Sequence, residues 1–249
     1  MTWQLIFTIA ALFAGGFVKG TTSLGLPLVA MPIVASIFDT RNAILILSVP
    51  LVVSDVVFIG KECRHFREGR RFIGLILFGI VGVMIGARLL ERLDAIVLSS
   101  VLGIFTFLFV VTAWFGINVT IPTTVATVAS PLIGLAAGIL RGVAGASGPI
   151  VAIYLYSAGL SRHVFAFLFN SLYIILDVTM VVALTRMGLY TTETTLFTLG
   201  AIIPAIVGIY LGIRLQERFA ERTFMRCVLA VLAAASLNLI FVGLGIDLF

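Results

Sequence analysis

The run Ala14-Gly-Gly16-Phe-Val-Lys19-Gly20-Thr21-Thr22-Ser23-Leu24-Gly25-Leu-Pro27-Leu-Val-Ala30 is answered later by Gly138-Ile-Leu-Arg141-Gly142-Val-Ala-Gly145-Ala146-Ser147-Gly148-Pro149-Ile-Val-Ala152. Each copy places one base inside a long apolar stretch, between glycines and a proline. The likeness continues outward. Gly86-Ala-Arg88-Leu-Leu-Glu91-Arg92 matches Gly212-Ile-Arg214-Leu-Gln-Glu217-Arg218, and Asp55-Val56 matches Asp177-Val178. Leu-rich helices that resemble each other by chance would not align charges in this way. An apolar chain duplicated around an interrupted, positively charged segment points to a carrier with its binding site at the interface of the two repeats.

Composition sets the solvent. With 61% hydrophobic and 11% charged residues among 249, and a mean hydropathy of +1.23, the chain holds more apolar surface than a soluble core of this size can hide. Residues 72–90, 95–115, 164–184, 196–213 and 227–246 approach the roughly 20 apolar residues that a helix needs to cross a bilayer. They are too long and unbroken for barrel strands, which alternate over about 10 residues. The expected class is all-α, a polytopic helical membrane protein. The net charge of +5 sits mostly in loops and helix ends, as positive-inside topology requires, so no nucleic-acid partner is expected. Met1-Thr2-Trp3-Gln4 has no basic n-region, and the N-terminus is expected to be retained. Cys63 and Cys227, with only two histidines in the chain, fit neither a disulfide framework nor a metal site. No cofactor and no metal are expected.

Five apolar segments fall in each half: 3–18, 24–38, 43–60, 72–90 and 95–115, then 125–140, 146–158, 164–184, 196–213 and 227–246. Residues 1–115 and 125–249 are read as two repeats, and the neutral stretch 116–124 as their linker. Residues 3–38 as one helix would be about 54 Å long, against a hydrocarbon core of about 30 Å, so the first two segments of each half should bend back as a full or re-entrant hairpin. Three crossings then remain per half, and the halves run in opposite directions. Charge agrees, because Lys61, Arg64, Arg67, Arg70 and Arg71 fall on the same side as Arg214, Arg218, Arg222 and Arg226, which should be the cytoplasm. Inverted repeats are preferred over parallel ones.

The repeated motif has anion chemistry. Glycine lowers the cost of leaving the helix, and Pro27 or Pro149 removes a backbone donor. The freed N–H groups of Gly20, Thr21, Thr22 and Ser23, and of Gly142, Gly145, Ser147 and Gly148, need partners in lipid. With Lys19 and Arg141 beside them, and a new helix N-terminus after each break, they can surround a small anion. The competing reading is that a terminal base snorkels to the headgroups, small residues pack helices, and hydroxyls bond the preceding turn. Asp55 and Asp177 are duplicated intramembrane carboxylates, candidates for proton or Na+ coupling or for ion pairs with the bases. Ser48 and Asn170 occupy matching positions, where interhelical hydrogen bonding is the favoured role. The arginines from Arg214 to Arg226 read as a solvated helix end without a transport role.

AGGFVKGTTSLGLPLVAMP and AAGILRGVAGASGPIVAIY together resemble the TauE/SafE family of sulfite exporters, the TSUP transporters, over residues 12–240. The resemblance implies a multi-pass inner-membrane protein that moves sulfite, sulfonates or related small organic anions, usually outward. TTSLGLP departs from the more glycine-rich first motif common in that family. No GxxxxGK[ST] motif is present, so secondary transport is the energetic option, with protons ahead of sodium. A lipid-facing homodimer is compatible with the sequence. The rivals are an intramembrane serine protease and a structural membrane subunit. Gly145-Ala146-Ser147-Gly148 reads like the serine motif of rhomboid proteases, but that serine needs a histidine on another helix, and His65 and His163 are poorly placed for it.

Overall fold

The computed structural model describes residues 2–22, 25–62, 72–115, 123–157, 160, 162–215 and 221–245. Ser23, the side chains of the basic cluster at 61–71, those of Arg218, Arg222 and Arg226, Cys63, the Cys227 side chain, both histidine side chains and the linker up to 122 lie outside that description. Among the described residues the chain is helical throughout, with no strands. The helices are α1 (Thr2–Thr22), α2 (Leu26–Phe38), α3 (Thr40–Glu62), α4 (Ile73–Arg92), α5 (Ala95–Trp114), α6 (Thr123–Ala144), α7 (Gly148–Ser157), α8 (Arg162–Arg186), α9 (Thr192–Leu215) and α10 (Glu221–Gly243). Six of them, α1, α3, α4, α5, α8 and α9, are long and apolar enough to cross a membrane.

Side-chain placement inverts the pattern of a soluble protein. Phe7, Leu77, Phe78, Leu108, Ile203 and Val207 point outward, whereas Lys19, Asp55, Arg141 and Asp177 are each 3% exposed or less. An apolar exterior around buried charges is stable only where hydrocarbon, rather than water, surrounds it.

The expected breaks are present, one turn later than the sequence suggested. α1 continues through Thr22 and α6 through Ala144, so Lys19 and Arg141 occupy the last turns of their helices. There a cation faces the negative end of the helix dipole. The reason for the shift lies in the packing of α1 and α6. A Cβ on Gly20 would lie 2.4 Å from the Ile209 carbonyl of α9, and one on Gly142 would lie 2.6 Å from Gly86 of α4. Such close approach fixes both glycines within regular helix. The Thr21 and Thr22 hydroxyls donate to the Val18 carbonyl at 2.9 and 2.8 Å, holding the final turn. The chain turns at Gly25 (φ 127°) and at Gly145 (φ 67°), values that side chains with a Cβ rarely adopt. Pro27 then starts α2 where its missing N–H costs nothing.

α1 lies along α9, α4 along α6, α3 against α8, and α5 against α10. In the first two pairs the glycines interlock. Gly16 and Gly20 oppose Ala205, Gly208 and Gly212, while Gly79, Gly82 and Gly86 oppose Gly134, Gly138 and Gly142. Small residues spaced three or four apart let membrane helices meet backbone to backbone. Side chains close the polar ends. Asp39 (φ 92°) joins α2 to α3, and its Oδ1 accepts the Asn42 N–H at 2.9 Å. The Arg41 guanidinium donates to the Leu90, Glu91 and Leu93 carbonyls at 2.9, 3.2 and 3.1 Å, capping α4.

Candidate functional site: two ion pairs around one buried cavity

α3 and α8 form the centre of the bundle and carry Asp55 and Asp177; α1 and α6 bring a base to each. Lys19 Nζ meets Asp55 Oδ1 and donates to Ser54 Oγ at 2.7 Å. Ser54 in turn donates to the Leu51 carbonyl at 2.6 Å, which leaves its oxygen free to accept from Lys19. The Phe58 ring lies 5.8 Å from the ammonium. In the second pair Arg141 Nε donates to Asp177 Oδ1 at 2.7 Å, and a terminal guanidinium nitrogen contacts the same oxygen. Its other terminal nitrogen donates to the Gly145 carbonyl at 2.9 Å, inside the break. The Tyr173 ring covers the guanidinium at 5.0 Å, and its hydroxyl bonds Ser147 at 2.9 Å. Phe169 packs on Tyr173 at 4.4 Å between centroids.

Both pairs line one cavity, with Tyr173, Gly25 just before α2, Pro27 in its first turn, and Gly148 at the start of α7. Two helix N-termini therefore open beside two bases, an arrangement suited to negative charge. About 10 Å³ of the cavity is open to the centre of a water molecule, near the least that one water needs. Among the described residues, Oδ2 of Asp55 and Oδ2 of Asp177 are both buried without a hydrogen-bond donor. Each carboxylate thus meets its base through one oxygen, while the other faces no donor among the described residues.

The residues expected at the site fall into groups. Lys19, Arg141, Asp55, Asp177 and Gly148 come together around the cavity. Gly145 lies behind Arg141, and Ser147 reaches the cavity through Tyr173. Gly20 and Gly142 face neighbouring helices, and Thr21 and Thr22 cap a helical turn, so the unwinding expected of these four does not occur. Snorkelling is excluded for both bases by their burial. Of the matched polar pair, Ser48 bonds Tyr190 in the connection between α8 and α9. Asn170 donates to the Ala166 carbonyl of its own helix at 2.7 Å. The outward Arg214 lies over Tyr210 at 4.5 Å, far from the cavity lining. Sequence reasoning missed Ser54 and Tyr173. Their positions held a signal, since Ser54 precedes Asp55 and Tyr173 lies one helical turn before Asp177, on the same face.

Six helices long and apolar enough to cross a membrane, packed around buried ion pairs, make this a polytopic helical membrane protein. The chain belongs to the sulfite exporter TauE/SafE family, whose sequence model matches residues 7–239. No curated protein and no solved structure matches it. Membership in this family makes the chain a membrane transporter.

Proposed function

We propose that this protein is a secondary exporter of small oxyanions of the sulfite and sulfonate class, resident in the inner membrane and coupled to protons. The observation that carries the reading is the pair of buried ion pairs facing one cavity, each with an idle carboxylate oxygen. As drawn, the two bases and two carboxylates sum to zero charge. An anion added to that site would leave a net negative charge away from water, which costs several kcal/mol. A proton on Asp55 or Asp177 removes the cost and frees Lys19 or Arg141 to bind the anion. The proton and the anion then occupy the site together, and loss of either returns the base to its aspartate. The cavity holds about one water, so admitting sulfite requires the helix breaks at Gly25 and Gly145 to part.

Inverted repeats are part of the same proposal. The sequence match equates α1 with α6 and α4 with α9, and the packing joins α1 to α9 and α6 to α4. Each half thus lends its broken helix to the other, an arrangement suited to alternating exposure of a central site. The protease reading has little support, because Ser147 bonds Tyr173. To test transport and coupling, purified protein in liposomes loaded with sulfite, taurine-like sulfonates or short carboxylates is given a pH gradient, a sodium gradient or neither. Efflux of the sulfur oxyanions that responds to the pH gradient is expected. Efflux driven by sodium alone, or confined to carboxylates, would contradict the proposal.

A further inference from the structure

A second small void lies on the far side of the Arg141–Asp177 pair. It is lined by Ser48, Leu51, Arg141, Gly145, Asp177 and a methionine from each of α2 and α8, and about 10 Å³ is open to a water centre, again close to one water. Arg141 and Asp177 border both voids, as does Leu51. Ser48 carries the polar line onward. Its hydroxyl is 2.6 Å from the Tyr190 hydroxyl, and either can donate. Tyr190 lies outside the membrane-crossing helices, in the connection between α8 and α9, and is half-buried. Ser48 and Thr198 both donate to the Leu45 carbonyl, at 2.6 and 3.0 Å, which holds α3 against α9 at this point.

We infer that Tyr190 and Ser48 form a proton path, separate from the anion cavity, that joins the aqueous surface to Asp177. The inference rests on the proton-coupled reading above. A proton from bulk water adds to one end of the hydroxyl chain. Each hydroxyl passes its own proton inward, and the last transfer, across one water in the void, protonates Asp177 Oδ2 and releases Arg141. The path runs in either direction because each hydroxyl both donates and accepts. Burial raises the Tyr190 phenol above its ordinary value of 10.0, outweighing the opposing hydrogen bond from Ser48, so the link stays protonated at neutral pH. Around Asp177 the ionisable groups are Arg141 from α6, Asp55 from α3, Lys19 from α1 and Tyr173 from α8 itself. Of the two carboxylates, only Asp177 borders the second void.

The test uses full-length protein in liposomes with a trapped pH dye, comparing wild type with Tyr190→Phe and Ser48→Ala. Two quantities are read: proton movement driven by sulfite, and counterflow of labelled sulfite against internal sulfite, which needs no net proton transfer. Expected for both variants is a drop of at least about tenfold in proton movement, with counterflow held within about twofold, since a positioned proton carrier is worth at least that much. Undiminished proton movement in both variants overturns the path and leaves proton coupling intact. An equal loss of both readouts assigns the hydroxyls to the anion cycle or the fold, and also overturns it. Sulfite movement without protons in the wild type removes the coupling itself, and the path with it.

Discussion

The two bases are held unequally. Arg141 is bound by Asp177, the Gly145 carbonyl and the Tyr173 face, whereas Lys19 has Asp55, Ser54 and a more distant ring. The alignment that matches Asp55 with Asp177 sets Leu51 against Tyr173, so the second half gained an aromatic clamp that the first half lacks. Arg141→Gln should cost about 3–5 kcal/mol of stability, because it strands a buried carboxylate, and thermal melting in detergent would register the loss. Adding Asp177→Asn should restore most of the melting temperature, since an uncharged pair leaves no orphan charge. A single variant as stable as wild type would show that the pair is not buried in the folded protein. Gly145→Ala is a second test at this scale. Its Cβ would lie 1.7 Å from Met31 Cε at a φ of 67°. It should lose about 1–3 kcal/mol to backbone strain, while the flexible tip of Met31 can swing aside, and transport should fall with it.

At the scale of elements, the helix pairs depend on glycine ridges. A Cβ on Gly138 would lie 2.2 Å from the Gly79 carbonyl, and one on Gly208 would lie 2.2 Å from that of Phe13. Backbone cannot yield as a flexible side chain can, so Gly138→Val or Gly208→Val should destabilise by about 3 kcal/mol or more, at or above the upper end of ordinary overpacking. Melting curves that match wild type would mean that the helices are not so closely apposed. These ridges were half legible. The four-residue spacing of Gly16 with Gly20, and of Gly138 with Gly142, is plain in the sequence, but spacing names a face and not the helix that meets it. For that reason the sequence alone assigns Gly20 and Gly142 to the breaks. Regular helix in fact persists to Thr22 and Ala144, because the facing backbone requires it. The ten segments were legible because each is a continuous apolar run bounded by glycine, proline or charge. Lys19, Arg141, Asp55 and Asp177 were legible because duplication preserved them. Tyr173 was harder to read, since its counterpart is a leucine and its one signal is a position one helical turn before Asp177.

For the whole molecule, the proposed inverted repeat sets the two halves in opposite orientations. Single cysteines introduced at Asp94, in the connection between α4 and α5, and at Gly188, between α8 and α9, should then label from the same face. The connection between α3 and α4 should label from the other. Parallel halves would place Gly188 with the connection between α3 and α4 instead. The transport site stands or falls with the second ion pair. The most direct measurement is sulfite efflux from liposomes containing the Arg141→Gln/Asp177→Asn protein, beside wild type and with melting temperatures recorded for both. Efflux at the level of empty liposomes from a protein that melts near wild type is the expected result. Efflux at the wild-type rate would place the anion's path elsewhere in the bundle.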